Sequence, residues 1–245
     1  MKAFACDFDG TFYFPTQPET IKKGDVEAVK AFQSHGHLFG FCTGRPVYGL
    51  LEYLDNQVSA DFYILNSGAT IFDKNLNLIY EKTISNELAK ELVTYGKQQH
   101  YDVDFHMDGK FYFFGKSNRF IKDEIYSLDE IVGKVHTITY DAQNDENAEE
   151  LLNKVNARFS GQISAYRNTR YVDIVPLGCS KGFGIDFVRK TLNPTLFAGI
   201  GDSMNDAPMF DKVDLSFTFS YAPDPLKEKV NHLVSSVEEA IYQLL

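Results

Sequence analysis

Lys2 to Phe8, His37 to Cys42 and Phe62 to Leu65 are short apolar runs, each closed by a polar or glycine-bearing turn. Runs of that length and character predict strands buried on both faces. Phe12 to Ile21 carries Pro15 and Pro18 and reads as a loop. Lys23 to Ser34 places Val26, Val29 and Phe32 near helical spacing, and Gly36 can close that helix. Val47 to Leu54 reads as a second helix. Strand, helix, strand in this order implies a parallel pair with a right-handed crossover. Thr70 to Phe72 and Leu78 to Tyr80 read as a hairpin around Lys74-Asn75.

The pattern then changes. Ser85 to His100 and Asn144 to Phe159 are long helical stretches. Tyr101 to Met107 and Lys110 to Gly115 flank Asp108-Gly109, a strong hairpin signal. Phe120 to Val132 reads as helical at least in part, and Lys134 to Tyr140 alternates like a strand. Gln162 to Arg167 and Arg170 to Val175 form another hairpin. Helices segregated from antiparallel strands imply an α+β insert with its own sheet. After Pro176-Leu177-Gly178 the alternating pattern resumes. Helix Ser180 to Thr191 precedes strand Leu196 to Ile200, a short helix and strand Leu215 to Phe219. Helix Ala222 to Lys229, a short strand at Leu233-Val234 and helix Ser236 to Leu245 follow. The expected fold class is therefore α/β. Residues 1–81 and 177–245 form a Rossmann-like parallel-sheet domain, and residues 82–176 form an inserted α+β domain.

The chemistry collects at predicted strand and helix ends. Period-2 geometry puts Asp7 and Asp9 on one side of an extended chain, and Gly10 lets the backbone turn away. Paired carboxylates at a strand's carboxyl end can hold a hard cation, or divide nucleophile and acid/base roles. Asp-Gly is also ordinary turn chemistry. Thr43, taken alone, is a helix N-terminal residue, and Lys181 a helix-start lysine. Asp202, Asn205 and Asp206 end the strand Leu196 to Ile200. Parallel strands bring these ends to one edge of the sheet. Three carboxylates gathered there repel unless a cation neutralises them, and Mg2+ suits an all-oxygen site. Together the groups meet the needs of phosphoryl transfer: a nucleophile, a metal and donors for the equatorial oxygens.

Charge and cysteine usage narrow the partners. The 245 residues carry a formal net charge of −10 with no basic tract, which argues against nucleic acid. An acidic protein binding an anionic substrate needs a local cation or helix N-termini. No apolar run reaches membrane-spanning length and no leader pattern opens the chain, so a cytoplasmic location is expected. Cys6, Cys42 and Cys179 have no C-x-x-C spacing, which argues against a disulfide framework or a zinc site. The six histidines show no metal-ligand spacing.

Asp7-Phe8-Asp9-Gly10-Thr11, Thr43, Lys181 and Gly201-Asp202-Ser203-Met204-Asn205-Asp206 stand in the order of the four motifs of the haloacid dehalogenase superfamily, which the whole chain resembles. The insert, with its paired helix and hairpin units, resembles the C2B-type cap of the Cof-type (subfamily IIB) sugar-phosphate phosphatases. The resemblance implies a Mg2+-dependent phosphatase acting on small phosphorylated metabolites through an aspartyl phosphate. It implies that Asp7 is the nucleophile and Asp9 the acid/base. Asp7, Asp202 and the main-chain carbonyl of Asp9 then hold Mg2+. Thr43, Gly44, Lys181 and Asn205 bind the phosphoryl group, and Asp206 supports Lys181 or the metal shell. The cap would choose the leaving group, with Arg167, Asn168 and Asp173 as candidate contacts beside His106, Asp108 and Arg170. Arg45 would reach substrate or cap, and Tyr166 and Tyr171 could stack on a sugar. Alternatives are a phosphomutase, a phospho-receiver domain and a non-enzymatic binding module.

Overall fold

The computed structural model describes residues 1–117 and 123–245, which form two sheets. The chain opens with strand β1 (Lys2–Cys6), helix α1 (Lys23–Ser34), β2 (Leu38–Cys42), α2 (Val47–Leu54) and β3 (Phe62–Leu65). The hairpin β4 (Thr70–Asp73) and β5 (Leu78–Glu81) follows. Helix α3 (Asn86–Gln98) leads to β6 (Asp102–Met107), β7 (Lys110–Phe114), β8 (Glu124–Ile125) and β9 (Val135–Asp141). Helix α4 (Asp145–Arg158) leads to β10 (Ile163–Asn168) and β11 (Tyr171–Pro176). The last part is α5 (Lys181–Leu192), β12 (Leu196–Ile200), α6 (Ala207–Phe210), β13 (Leu215–Phe219), α7 (Asp224–Lys227), β14 (His232–Val234) and α8 (Val237–Tyr242).

The first sheet has the order β14-β13-β12-β1-β2-β3-β4-β5, parallel from β14 to β3 and antiparallel at β4 and β5. Strand β1 lies at its middle. Period-2 alternation sends Phe4 and Cys6 to one face and Ala3 and Ala5 to the other. The phenylalanine face is covered by α1 and α8, through Val29, Phe32, Ala240 and Ile241. The small-residue face is covered by α5 and α6, through Ile185, Val188 and Met209. Phe41 packs edge-on against Phe8, Phe12 and Phe39, with centroids 5.6, 5.3 and 5.1 Å away. In register, Cys6 lies opposite both Phe41 and Ile200. The residues that follow β1, β2 and β12 therefore leave the sheet side by side, at the carboxyl edge where α/β sheets bind ligands.

The second sheet has the order β10-β11-β9-β6-β7-β8. One face carries Val103, Phe105, Ile138, Tyr140, Val172 and Ile174 into a core shared with α3 and α4. The alternate positions Asp104, His106, Thr139 and Asp173 are also buried, although all are polar. The β6–β7 turn has Asp108 at φ 51° and Gly109 at φ 78°, the two positive values of a type I′ hairpin.

Two expected helices differ. For Phe120 to Val132, residues 120–122 lie outside the described residues. Beyond them stand the two-residue strand β8 and a single 3-10 turn, Leu128–Glu130. Glu124 and Ile125 are drawn out of a helix by parallel pairing with Phe113 and Phe114, and Ile125, Leu128 and Ile131 reach the second sheet's core from that strand and the turn after it. The Ser127 hydroxyl accepts from the Asp129 amide, and the Glu130 carboxylate accepts from the Ser127 amide, which closes that one turn. The expected helix Ala222 to Lys229 shortens to α7, because Pro223 and Pro225 allow only a helix that starts between them. Among the described residues, no helix is long and apolar enough to cross a membrane.

Phe41→Ala should cost about 3–5 kcal/mol of stability, because the ring is wholly buried among other rings that cannot collapse into the space. Urea unfolding with an unchanged m-value checks this; a loss below about 1 kcal/mol would show that the aromatic cluster is not tightly packed.

Candidate active site

Strand β1 ends at Cys6, and the chain then turns tightly: the amides of Thr11, Phe12 and Tyr13 all donate to the Phe8 carbonyl. Gly10 takes φ 74°, and a Cβ there would lie 2.5 Å from Asp202 Oδ2. Only glycine allows this turn to press against the loop after β12. The Thr11 hydroxyl donates to Asp202 Oδ1 at 2.8 Å, and the Tyr221 hydroxyl donates to the Gly10 carbonyl at 2.6 Å. Neither positioning contact stood out in the sequence, because each joins segments about two hundred residues apart.

Lys181, the first residue of α5, is 1 % exposed. Its ammonium donates to Asp7 Oδ1 at 2.7 Å and to Asp206 Oδ1 at 2.5 Å. Asp206 Oδ2 accepts from the amides of Asp202 and Ser203. Carboxylate oxygens of Asp7, Asp202 and Asp206 lie within 4.8 Å of one another. Burial pushes the Asp7 carboxyl well up, and Asp206 adds to it, against the pull of Lys181. Burial and then Asp206 raise Asp202 to about 7. Burial works against the Lys181 charge, but Asp206 and Asp7 outweigh it and hold the ammonium protonated.

One ammonium among three clustered carboxylates leaves a local excess of negative charge. A buried all-oxygen donor set with that excess fits a hard divalent cation. Asn205 Oδ1 is buried nearby without a hydrogen-bond partner, one more oxygen aimed into the site. Asp9 takes a different direction. Its carboxylate pairs bidentately with Arg45, at 2.7 Å to both Nε and Nη2, while Arg45 Nη1 donates to the Gly49 carbonyl. The guanidinium lies over the rings of Phe8, Tyr13 and Tyr53. Of the two paired aspartates, then, Asp7 joins the acidic cluster and the Asp9 side chain does not.

Asp7, Asp9 and Asn205 open into a cavity of about 710 Å³ between the first sheet's carboxyl edge and the polar face of the second sheet, while Lys181, Asp202 and Asp206 are not part of its lining. Asp7, Asp9, Thr43, Gly44, Arg45 and Asn205 line its first-sheet side. Of the residues expected from the insert, Asn168, Asp173, Tyr171 and His106 line the opposite wall. Arg167 does not. It stands opposite Val172 in the hairpin register and so shares the helix-covered face, where it reaches the Asp145 carbonyl and Glu149. Arg170 pairs with Asp141, Asp108 accepts from the Lys134 amide, and the Tyr166 hydroxyl donates to the Cys179 carbonyl. Asp104 and Thr139, which also line the cavity, were missed. The available signal was alternation: Val103 and Phe105 are apolar, so Asp104 must share a face with His106.

Residues 4–245 match the haloacid dehalogenase-like hydrolase family. The chain belongs to that family. This haloacid dehalogenase-like hydrolase is 20 % identical over 251 residues to the 5-amino-6-(5-phospho-D-ribitylamino)uracil phosphatase of Bacillus subtilis, covering 98 % of this chain and 93 % of that one. It is 26 % identical over 265 residues to an uncharacterized protein of Mycoplasma capricolum, covering 96 % and 97 %. Among solved structures, a sugar phosphatase of subclass IIB aligns with a TM-score of 0.82 at 20 % identity, covering 100 % of this chain and 99 % of the other. A haloacid dehalogenase-like hydrolase from B. subtilis aligns at 0.87 and 17 % identity, covering all of both chains. The fold is that of the Cof-type hydrolases, a parallel-sheet core carrying an inserted cap.

The acidic cluster predicts a pH effect. The folded Asp202 pKa, at about 7, lies above the ordinary carboxylate range, so the folded state keeps a proton that the unfolded chain releases. Without metal, that contribution is present at low pH and is lost as pH rises from the carboxylate range through about 7. Asp202→Asn should therefore be more stable than the parent in EDTA at pH 8, by on the order of 2 kcal/mol, and gain less from added Mg2+. Urea unfolding of both proteins at pH 5 and pH 8 reads this; equal stabilities at pH 8 would mean the cluster is not under charge strain.

Proposed function

We propose that this hydrolase is a Mg2+-dependent phosphatase that cleaves monophosphate esters of small metabolites, sugar phosphates by preference, through an aspartyl phosphate. The observation that carries the reading is the buried Lys181 ammonium held between Asp7 and Asp206 beside Asp202, with Asp7 lining a cavity of a size for small molecules. Residues 1–81 and 177–245 are the catalytic unit, and residues 82–176 the cap that faces the leaving group. Three buried free cysteines are in keeping with a cytoplasmic enzyme.

Asp7 attacks phosphorus through a carboxylate oxygen, and the bond from phosphorus to the ester oxygen breaks. Asp9 gives its proton to the departing oxygen, then takes one from the water that attacks the aspartyl phosphate; phosphate leaves and Asp7 is regenerated. Arg45 sets the direction of the Asp9 carboxylate before substrate enters. Lys181, Thr43 and the open backbone at Gly44 face the phosphoryl oxygens, and Asn205 orients them. Asp206 already accepts from Lys181 and two amides, so it braces the site. A divalent ion held by Asp7, Asp202 and the Asp9 main-chain carbonyl would supply the charge that offsets the phosphoryl oxygens.

Asp7→Asn should lower phosphate release by about 10⁴-fold or more while circular dichroism stays that of the parent. An active variant would remove Asp7 from the nucleophile's role. EDTA should abolish release from a panel of sugar phosphates, and Mg2+ should restore it. Unchanged activity in EDTA would sink the metal assignment, and an isomerised ester in place of inorganic phosphate would make the enzyme a mutase.

A further inference from the structure

Tyr48, Tyr53 and Phe111 line the cavity, and the phosphoryl chemistry uses none of them. Helix α2 turns Leu50 and Leu54 into the first sheet's core, and Tyr48, Gly49, Glu52 and Tyr53 to the cavity. Those four form two pairs spaced four residues apart, which puts them on one face of the helix. Strand β7 meets that face from the second sheet. Its Tyr112 and Phe114 pack against the helix-covered core, so alternation turns Phe111 the other way, opposite His106 in register. The Phe111 and His106 rings meet edge-on with centroids 4.3 Å apart.

Packing fixes each ring and still leaves it surface to offer. A Cβ on Gly49 would lie 2.6 Å from Phe111 Cε2, so a glycine inside α2 lets that ring press on the helix backbone. A Cβ on Gly109 would lie 3.2 Å from Tyr48 Cε2, so the Tyr48 ring rests on the β6–β7 turn. Tyr53 is held by the Arg45 guanidinium, 4.4 Å from its centroid, and by the Tyr13 ring at 5.3 Å. Yet Tyr48 is 61 % exposed and Tyr53 39 %, and Phe111 is half-buried. Rings held this way lose little freedom when a ligand covers them, and each has apolar area left to bury. Arg45 also holds Asp9, the group that protonates the departing oxygen, so Tyr53 and its helix face lie on the leaving-group side of the site.

We propose that Tyr48, Tyr53 and Phe111 form a leaving-group subsite for a planar aromatic ring, so that the preferred ester is a sugar or polyol monophosphate carrying such a ring. This rests on the phosphatase reading above. A cavity of about 710 Å³ has room for a ligand of that size. Asn168 and Asp173 line the same cavity and offer hydrogen bonds to sugar hydroxyls, while the three rings offer faces and edges for stacking. Stacking depends on the π face and not on the charge of neighbouring groups, so it accepts heteroaromatic rings of differing hydrogen-bond pattern.

The test is kcat/KM for phosphate release with Mg2+ from two matched pairs: adenosine 5′-monophosphate against ribose 5-phosphate, and flavin mononucleotide against ribitol 5-phosphate. Within each pair the bond that breaks is of one kind and the ring is what differs. The ring-bearing ester of at least one pair should lead by about tenfold or more, chiefly through KM. In Tyr48→Ala, Phe111→Ala or both, that lead should shrink severalfold; a merely structural role would slow both members of the pair alike and leave their ratio. A smaller lead in both pairs overturns the proposal in the parent enzyme alone, whatever the variants' folding. So does cleavage of p-nitrophenyl phosphate with none of the four esters cleaved, and so does an unchanged ratio in both variants. Release from no ester, p-nitrophenyl phosphate included, overturns the phosphatase reading itself and the subsite with it.

Discussion

A single buried ammonium holds the carboxyl edge of the first sheet together. Lys181 is 1 % exposed and stabilised by Asp7 and Asp206. A lysine in that position costs several kcal/mol to desolvate unless both partners are in place, and each partner is as costly without the lysine. The three residues come from the end of β1, the start of α5 and the loop after β12. Their mutual dependence fixes how those segments meet. It also sets the charge at the site: the ammonium offsets part of a three-carboxylate cluster and leaves the remainder for a cation.

Around this cluster the fold separates two carboxylates that lie two residues apart. Asp7 is drawn inward by Lys181, and Asp9 is drawn outward by a bidentate pair with Arg45. The separation follows from the turn that begins at Phe8, where three amides share one carbonyl and the strand stops. Gly10 allows that turn, and Thr11 and Tyr221 hold it against the loop bearing Asp202. One buried carboxylate and one half-exposed carboxylate then face the same cavity with different surroundings, the condition under which two identical groups take different chemical roles.

The second sheet contributes by an opposite use of burial. Its helix-covered face carries an apolar core, with Arg167 on the same face, and its cavity face carries the buried polar residues Asp104, His106, Thr139 and Asp173. Polar groups buried without water need partners, and Thr139, Asn168 and Asn66 supply some of them.

Most of the architecture was legible in the chain because it depends on local periodicity. The strands around Asp7 and Asp202, the helix that starts at Lys181 and the hairpin at Asp108-Gly109 all follow from apolar spacing and turn chemistry. The motif residues were legible too, since parallel order alone brings strand ends to one edge. The failures share one cause. The helix expected over Phe120 to Val132 gives way, over its described residues, to pairing of Glu124 and Ile125 with β7 and a single 3-10 turn, and only the tertiary pairing decides that. Arg167 was expected in the cavity, yet one residue of strand parity turns it onto the helix face, whereas the parity of Asp104 on β6 turns it into the cavity. The pairing of Arg45 with Asp9 and of Thr11 with Asp202 joins segments far apart in the chain. Sequence determines which residues alternate and where elements stop; the tertiary structure decides which alternate face meets the cavity and which charges meet each other, because both are set by the docking of one sheet against another.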